Sequence, residues 1–164
     1  MMTTATPVGC LLETAQEWIE SKDGAFYRFF DISTEDGKWL LSAAEGDIER
    51  LACLPASVFK ISLVHADGGS APRSMLNSYS VSLVTNVLSE IREDLRTSEL
   101  ESRIFWGLSE EDACWLIESS FSQRNLIAAL GRVKFSARDG LVRESASQRV
   151  DTLQLLLRVM NPSY

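Results

Sequence analysis

The chain has 164 residues, 45% of them hydrophobic, and a formal net charge of −7. This size supports one ordinary domain or two very small ones packed together, and no apolar run approaches the roughly 20 residues of a membrane-spanning helix, so we expect a soluble, cytoplasmic protein. The acidic balance excludes strong nonspecific attraction to nucleic acid, because phosphate binding draws its affinity from a basic surface.

The first half predicts short helices followed by a strand. Ser33 is followed three residues later by Asp36, an acidic form of the capping box that starts a helix. Pro55 ends the next helix because proline has no amide hydrogen to donate. In order, the predictions are a helix over 11–20, a short apolar segment over 29–32, a helix from Ser33 to about Ala44, a helix over about 47–54, and a strand over 58–61 with alternating hydrophobicity.

A connector rich in glycine, serine and proline follows at 65–77, and the second half is then built in the same way. Gly131 ends its last helix, because glycine tolerates the backbone angles of a helix terminus. In order, the predictions are a helix over 83–100, a short apolar segment over 105–108, a helix from Ser109 to about Ser120, a helix over about 122–130, a strand over 132–135, and a terminal helix over 146–160 with Leu153, Leu156, Leu157 and Met160 as its buried stripe.

The two halves match at a fixed offset of 76 residues. Residues 12–59 align with 88–135 without a gap and share 11 identities in 48 positions, where composition alone would give about three or four. The identities concentrate in one block that includes a tryptophan pair, and we expect both members to be core anchors. The pairs in that block are Ser33 with Ser109, Glu35 with Glu111, Asp36 with Asp112, Trp39 with Trp115, and Leu40 with Leu116.

Each half resembles the FlhD family, the flagellar master activator subunit and its transfer-regulator relatives. The stretches LLETAQEWIESKDGAFYRFFDISTEDGKWLL and RIFWGLSEEDACWLIESSFSQRNLIAALGRVKF carry the likeness: an aromatic segment, paired acids that open a helix, and a final helix that closes on an apolar segment. The resemblance covers residues 11–62 and 83–138. It implies a mainly α fold made of two tandem helix-turn-helix-type units with short strand-like arms, at 1–64 and 78–140, joined by the connector and followed by a C-terminal helix within 141–164.

The resemblance also implies a role in transcription. FlhD is ordinarily a single copy that dimerises, so our hypothesis is that the fusion supplies a pseudo-dimer in one polypeptide. The chain would be a transcriptional regulator that works in a complex with an FlhC-like, zinc-binding subunit on flagellar or mobile-element transfer genes. Further self-association and the sign of the regulation are left open.

The second half offers the better candidate surface for DNA. Its last helix starts with amide and guanidinium donors, which suit base edges, whereas the first half offers Glu45, Asp47 and Glu49 at that place. Residues 121–150 hold six basic and two acidic side chains, a local charge of +4. The alternative is a solvated face or a contact for an acidic subunit. The candidate DNA-binding residues are Ser122, Gln123, Arg124, Asn125, Arg132, Lys134 and Arg138.

The sequence carries no motif typical of catalysis, nucleotide binding or zinc binding. The nucleotide-binding glycine motifs are absent, and the single histidine has no nucleophile motif beside it, so we predict no enzyme, cofactor or small-molecule substrate. Three scattered cysteines do not make a zinc site, and we expect reduced thiols with Cys53 and Cys114 as small core residues. The competing function is an acidic interaction module, such as an anti-activator, a chaperone or a phage-type inhibitor, without DNA contact.

Overall fold

The computed structural model of the chain describes residues 6–54, 56–64 and 78–137. These form a mainly helical fold with a small mixed sheet. The predicted connector, the predicted terminal helix and Arg138 lie outside the described residues. In chain order the elements are α1 (Pro7–Glu20), α2 (Gly24–Phe29), β1 (Phe30–Asp31), α3 (Thr34–Ser42), α4 (Glu45–Ala52), β2 (Phe59–Leu63), α5 (Ser78–Thr97), α6 (Glu99–Trp106), α7 (Glu110–Glu118), α8 (Phe121–Ala129) and β3 (Val133–Ala137).

The predicted helix starts are confirmed at equivalent places in the two halves. The Ser33 hydroxyl accepts a hydrogen bond from the Asp36 amide at 3.1 Å, and Ser109 accepts one from the Asp112 amide at the same distance. Each bond satisfies an amide in a first helical turn that has no partner within the helix. α3 and α7 therefore begin one residue after their serines, 76 positions apart.

The end of α8 also follows the prediction. Gly131 has a φ of 65°, in the left-handed region that favours glycine. The amide of Arg132 donates to the Ile127 carbonyl at 2.9 Å, which closes a Schellman-type helix end. The chain then turns directly into β3.

Two short helices, α2 and α6, were not predicted. α2 has only six residues, which is too short for a helical repeat of apolar positions to stand out. Asp23 caps it by accepting from the Ala25 amide at 2.9 Å. The long helix predicted over 83–100 in fact ends at Thr97, and a separate helix starts at Glu99 after a break at Ser98, whose backbone is extended.

The sheet joins the two halves through equivalent residues. Its strand order is β1-β3-β2, with β2 antiparallel to β3 and β1 parallel to β3. Lys60 lies opposite Ser136, its own equivalent at the 76-residue offset. Two antiparallel strands that pair at equivalent positions are related by a local two-fold axis. The two predicted strands are thus confirmed as β2 and β3, and they pair with each other.

One hydrophobic core contains side chains from both halves. Trp18 and Trp106 are buried in it, whereas Trp39 and Trp115 pack against it and stay half-buried, which corrects their predicted place as central anchors. The 76-residue offset also pairs buried positions. These pairs include Val8 with Val84, Leu11 with Val87, Leu12 with Leu88, Ala15 with Ile91, Leu40 with Leu116, and Phe59 with Phe135.

Candidate interaction surface on the second half

The candidate surface is formed by α7, α8 and the start of β3. Ser119 and Ser120 connect the two helices in a tight turn. The Ser120 hydroxyl accepts from the Gln123 amide at 3.2 Å, and the Gln123 side-chain oxygen accepts from the Ser120 amide at 2.8 Å. This reciprocal capping box holds the start of α8, and it occupies the amide oxygen of a residue predicted to contact DNA.

Arg124 is buried, although we predicted it to contact DNA. Its residue is only 6% exposed. Nη1 donates to the Ser119 carbonyl at 2.6 Å and to the Ser119 hydroxyl at 3.2 Å, and Nε donates to the Ser89 hydroxyl at 3.1 Å. Burial lowers the pKa of Arg124, and the positive charge of Arg92 lowers it further while Glu93 opposes the shift. Arginine pKa values are high enough that the group stays charged.

The two halves cap the equivalent helix ends in different ways. In the first half, Gln16 donates from Nε2 to the Leu40 carbonyl at 3.0 Å and to the Ala43 carbonyl at 3.3 Å. Position 92 is the equivalent of Gln16, and there Arg92 Nε donates to the Ile117 carbonyl at 3.1 Å. The carbonyl of Ser119, equivalent to that of Ala43, is taken by Arg124 instead. The arginines thus face the negative end of α7, where positive charge is favoured.

A sequence signal for the burial of Arg124 was present. Its equivalent in the first half is Ile48, a buried side chain on the inner face of α4. Since the 76-residue offset pairs buried positions elsewhere in the chain, it predicts that the side chain at position 124 also faces inward. Charge and residue type favour an exposed contact at Arg124, whereas its place in the repeat favours burial.

Lys134 is also engaged within the protein. Its ammonium group donates to the carbonyls of Tyr27 at 3.2 Å and Arg28 at 2.6 Å, which are in the last turn of α2. This contact connects the second half to the first. Arg132 is half-buried, and its guanidinium forms no hydrogen bond within the described residues.

The predicted site residues therefore do not form one exposed cluster. Among the six that the structure describes, Ser122 and Gln123 are exposed, Asn125, Arg132 and Lys134 are half-buried, and Arg124 is buried. Arg138 lies outside the described residues. The structure leaves Ser122, Asn125 and Arg132 as the predicted residues with no side-chain hydrogen bond within the described ranges.

Sequence reasoning missed two exposed apolar side chains on α8. Phe121 and Leu126 are each 58% exposed on this helix. Their equivalents in the first half are Glu45 and Arg50, which are charged and exposed. The aligned halves carry this signal, because two solvated charges are replaced by two large apolar side chains at matching positions.

The cysteines are placed differently from the prediction. Cys53 and Cys114 are exposed, as is Cys10, and all three are free thiols. Cys53 follows the last turn of α4, and Cys114 aligns with the exposed Lys38, which explains their solvent contact. Partial burial raises the pKa of Cys10, and Glu13 and Glu90 add to the shift while a hydrogen bond with Thr14 opposes it.

Within residues 6–54, 56–64 and 78–137, no group of three or more histidine, cysteine or acidic side chains is arranged to hold a metal ion. No helix in those ranges is long and apolar enough to cross a membrane.

No family model, curated protein or solved structure matches the chain.

Proposed function

We propose that the chain is an FlhD-like regulatory subunit that acts on transcription in a complex with an FlhC-like, zinc-binding partner. The observation that carries the proposal is the pairing of β2 with β3 at equivalent positions, with Lys60 opposite Ser136. Such a pairing is consistent with two copies of a repeated unit meeting as in a homodimer, since a two-fold axis brings the same residue of each copy together. Here one polypeptide supplies both copies.

Direct DNA contact by this chain is limited in the proposal. The strongest donor, Arg124, is held by Ser119 and Ser89, and Lys134 caps α2. Residues 119–137 still carry no carboxylate, so this part of an acidic chain approaches phosphate with least repulsion. We assign Arg132 a supporting phosphate contact and the main DNA contact to the zinc-binding partner.

A second candidate is an acidic interaction module that never touches DNA. Two observations favour it: the burial of Arg124, and the exposure of Phe121 and Leu126 on α8. Exposed phenylalanine and leucine suit a protein surface better than a phosphate backbone. This candidate shares the fold and the protein contacts of the first and differs only at the DNA.

Co-expression with an FlhC-like subunit separates the candidates. We expect a stable complex that retains sheared genomic DNA at about 100 mM salt and releases it as salt rises. The chain alone should retain none. Arg132→Ala should weaken retention by the complex several-fold and reduce the salt slope by about one. Arg96→Ala, at an exposed position on α5, is the matched control and should change neither quantity.

The alternatives give different results. A stable complex that retains no DNA at any salt concentration supports the interaction module, and so does a complex whose DNA retention and salt slope are the same in Arg132→Ala as in the parent, because the partner then holds the DNA alone. Failure to form any complex with the FlhC-like subunit rejects the proposed function.

A further inference from the structure

The two halves of the chain exchange strands. β3 belongs to the second half, yet it pairs in parallel with β1 of the first half, and the ring centroids of Phe135 and Phe30 lie 5.4 Å apart. The ammonium group of Lys134 also donates to the carbonyls of Tyr27 at 3.2 Å and Arg28 at 2.6 Å. The second half therefore places its strand on the first half.

β2 makes the reciprocal contacts. The Ser57 amide, just before β2, donates to the Phe105 carbonyl at 3.0 Å, and the Leu63 amide donates to Asp112 Oδ2 at 3.2 Å. Both acceptors belong to the second half. The helices, by contrast, pack within their own halves: α1 packs against α2, α3 and α4, and α5 packs against α6, α7 and α8. Each half is thus a group of helices that binds the strand of the other half.

These contacts do not require the two halves to belong to one molecule. A first half from one chain and a second half from another would form the same strand pairs, the same hydrogen bonds and the same shared core. Exchange between identical copies therefore conserves the contacts between halves. The difference lies in the connector at 65–77, which keeps the two halves of one chain at an effective concentration on the order of millimolar.

We infer that two copies of the chain pair by exchanging halves, so that the first half of each copy associates with the second half of the other through two β2–β3 pairs. Once one such pair has formed, the second forms within the same complex, which favours closure at two chains. The exchange requires the halves to separate, because β2 and β3 are already paired within a folded monomer. The exchanged dimer therefore forms while the chain folds, to an extent that rises with concentration.

A disulfide placed across β2 and β3 tests the inference. Lys60 and Ser136 lie opposite each other, and opposite residues of antiparallel strands are close enough for a disulfide. The double variant Lys60→Cys with Ser136→Cys is made in the whole chain, with the exposed native cysteines Cys10, Cys53 and Cys114 replaced by serine. The disulfide links one chain to itself in the monomer, whereas it links two chains in the exchanged dimer.

The double variant is refolded from urea at about 5 or about 500 µM, brought to the lower concentration and oxidised at once. For an effective concentration of about 1 mM, we expect about a third of the chains refolded at the higher concentration to migrate at twice 18.3 kDa on a non-reducing denaturing gel, and less than about 2% of the others. Chains that are refolded at the lower concentration and only then concentrated should stay monomeric, because unfolding is slow.

Lys60→Cys alone, in the same background, is the matched control. It lacks the opposite thiol, so its dimer band should not depend on the refolding concentration, and a dependence there would overturn the inference. A double variant with the same dimer band after both refolding conditions also overturns it. So does a dimer that forms when folded chains are merely concentrated, since that dimer needs no exchange, and so does the absence of any cross-link. The experiment contains this chain alone, so its outcome is independent of the FlhC-like partner.

Discussion

Arg124→Ala should reduce the free energy of unfolding by about 3 kcal/mol. The substitution removes a guanidinium that donates to the Ser119 carbonyl, the Ser119 hydroxyl and the Ser89 hydroxyl in a buried site. The acceptors lose their partner, and because Ser119 is buried and Ser89 half-buried, water replaces the guanidinium poorly. Loss of the buried aliphatic stem adds a packing term. Urea unfolding followed by circular dichroism measures the change.

The repeat provides a matched rescue. Arg124→Ile combined with Ser119→Ala recreates the first half, which carries Ile48 and Ala43 at these positions. The double variant should recover about half of the free energy lost in Arg124→Ala. Its isoleucine is apolar and the Ser119 hydroxyl is gone, and replacing both partners of a polar contact costs less than removing one. Arg96→Ala, at an exposed arginine, should change the unfolding free energy by less than about 0.5 kcal/mol. If Arg124→Ala proved as mild as Arg96→Ala, the buried position of Arg124 would be refuted.

Phe135→Ala should have the largest effect, a loss of about 3–5 kcal/mol. Phe135 is fully buried in β3, lies opposite Ile61 of β2, and has its ring centroid 5.4 Å from that of Phe30. It therefore connects side chains of the two halves. Its removal should lower the stability of both halves together, in one cooperative transition followed by tryptophan fluorescence and circular dichroism.

Phe59→Ala is the corresponding change in the first half. Phe59 is equally buried and has its ring centroid 5.4 Å from that of Phe30, so we expect a loss of similar size. Lys60→Ala, on the exposed side of the same strand, should have little effect. Two separate transitions in Phe135→Ala, with the first half unfolding at its original denaturant concentration, would show that the halves are independent and would contradict a shared core.

Much of the fold is predictable from local patterns. Ser33 and Ser109 mark helix starts because their hydroxyls satisfy local amides, and Gly131 marks a helix end because of its backbone angle. These interactions span only a few residues, so the sequence contains them completely. The 76-residue offset extends the local patterns to a repeated order of elements.

The candidate site was harder to predict, because the availability of a donor depends on contacts distant in the chain. Arg124 is engaged by Ser89, 35 residues away, and Lys134 by Arg28, 106 residues away. Charge counting treats both cations as free, and only the tertiary structure shows that they are not. The register of β2 and β3 likewise depends on how the halves meet, which no segment of either half specifies alone.

Nuclear Overhauser contacts measured by NMR in solution test whether β2 pairs with β3 in this register. The structure predicts a cross-strand contact between the α-hydrogens of Ile61 and Phe135, and amide contacts at Lys60 and Ser136, in a monomeric chain. Absence of the Ile61–Phe135 contact, or a register in which Lys60 faces a residue other than Ser136, would contradict the local two-fold relation between β2 and β3.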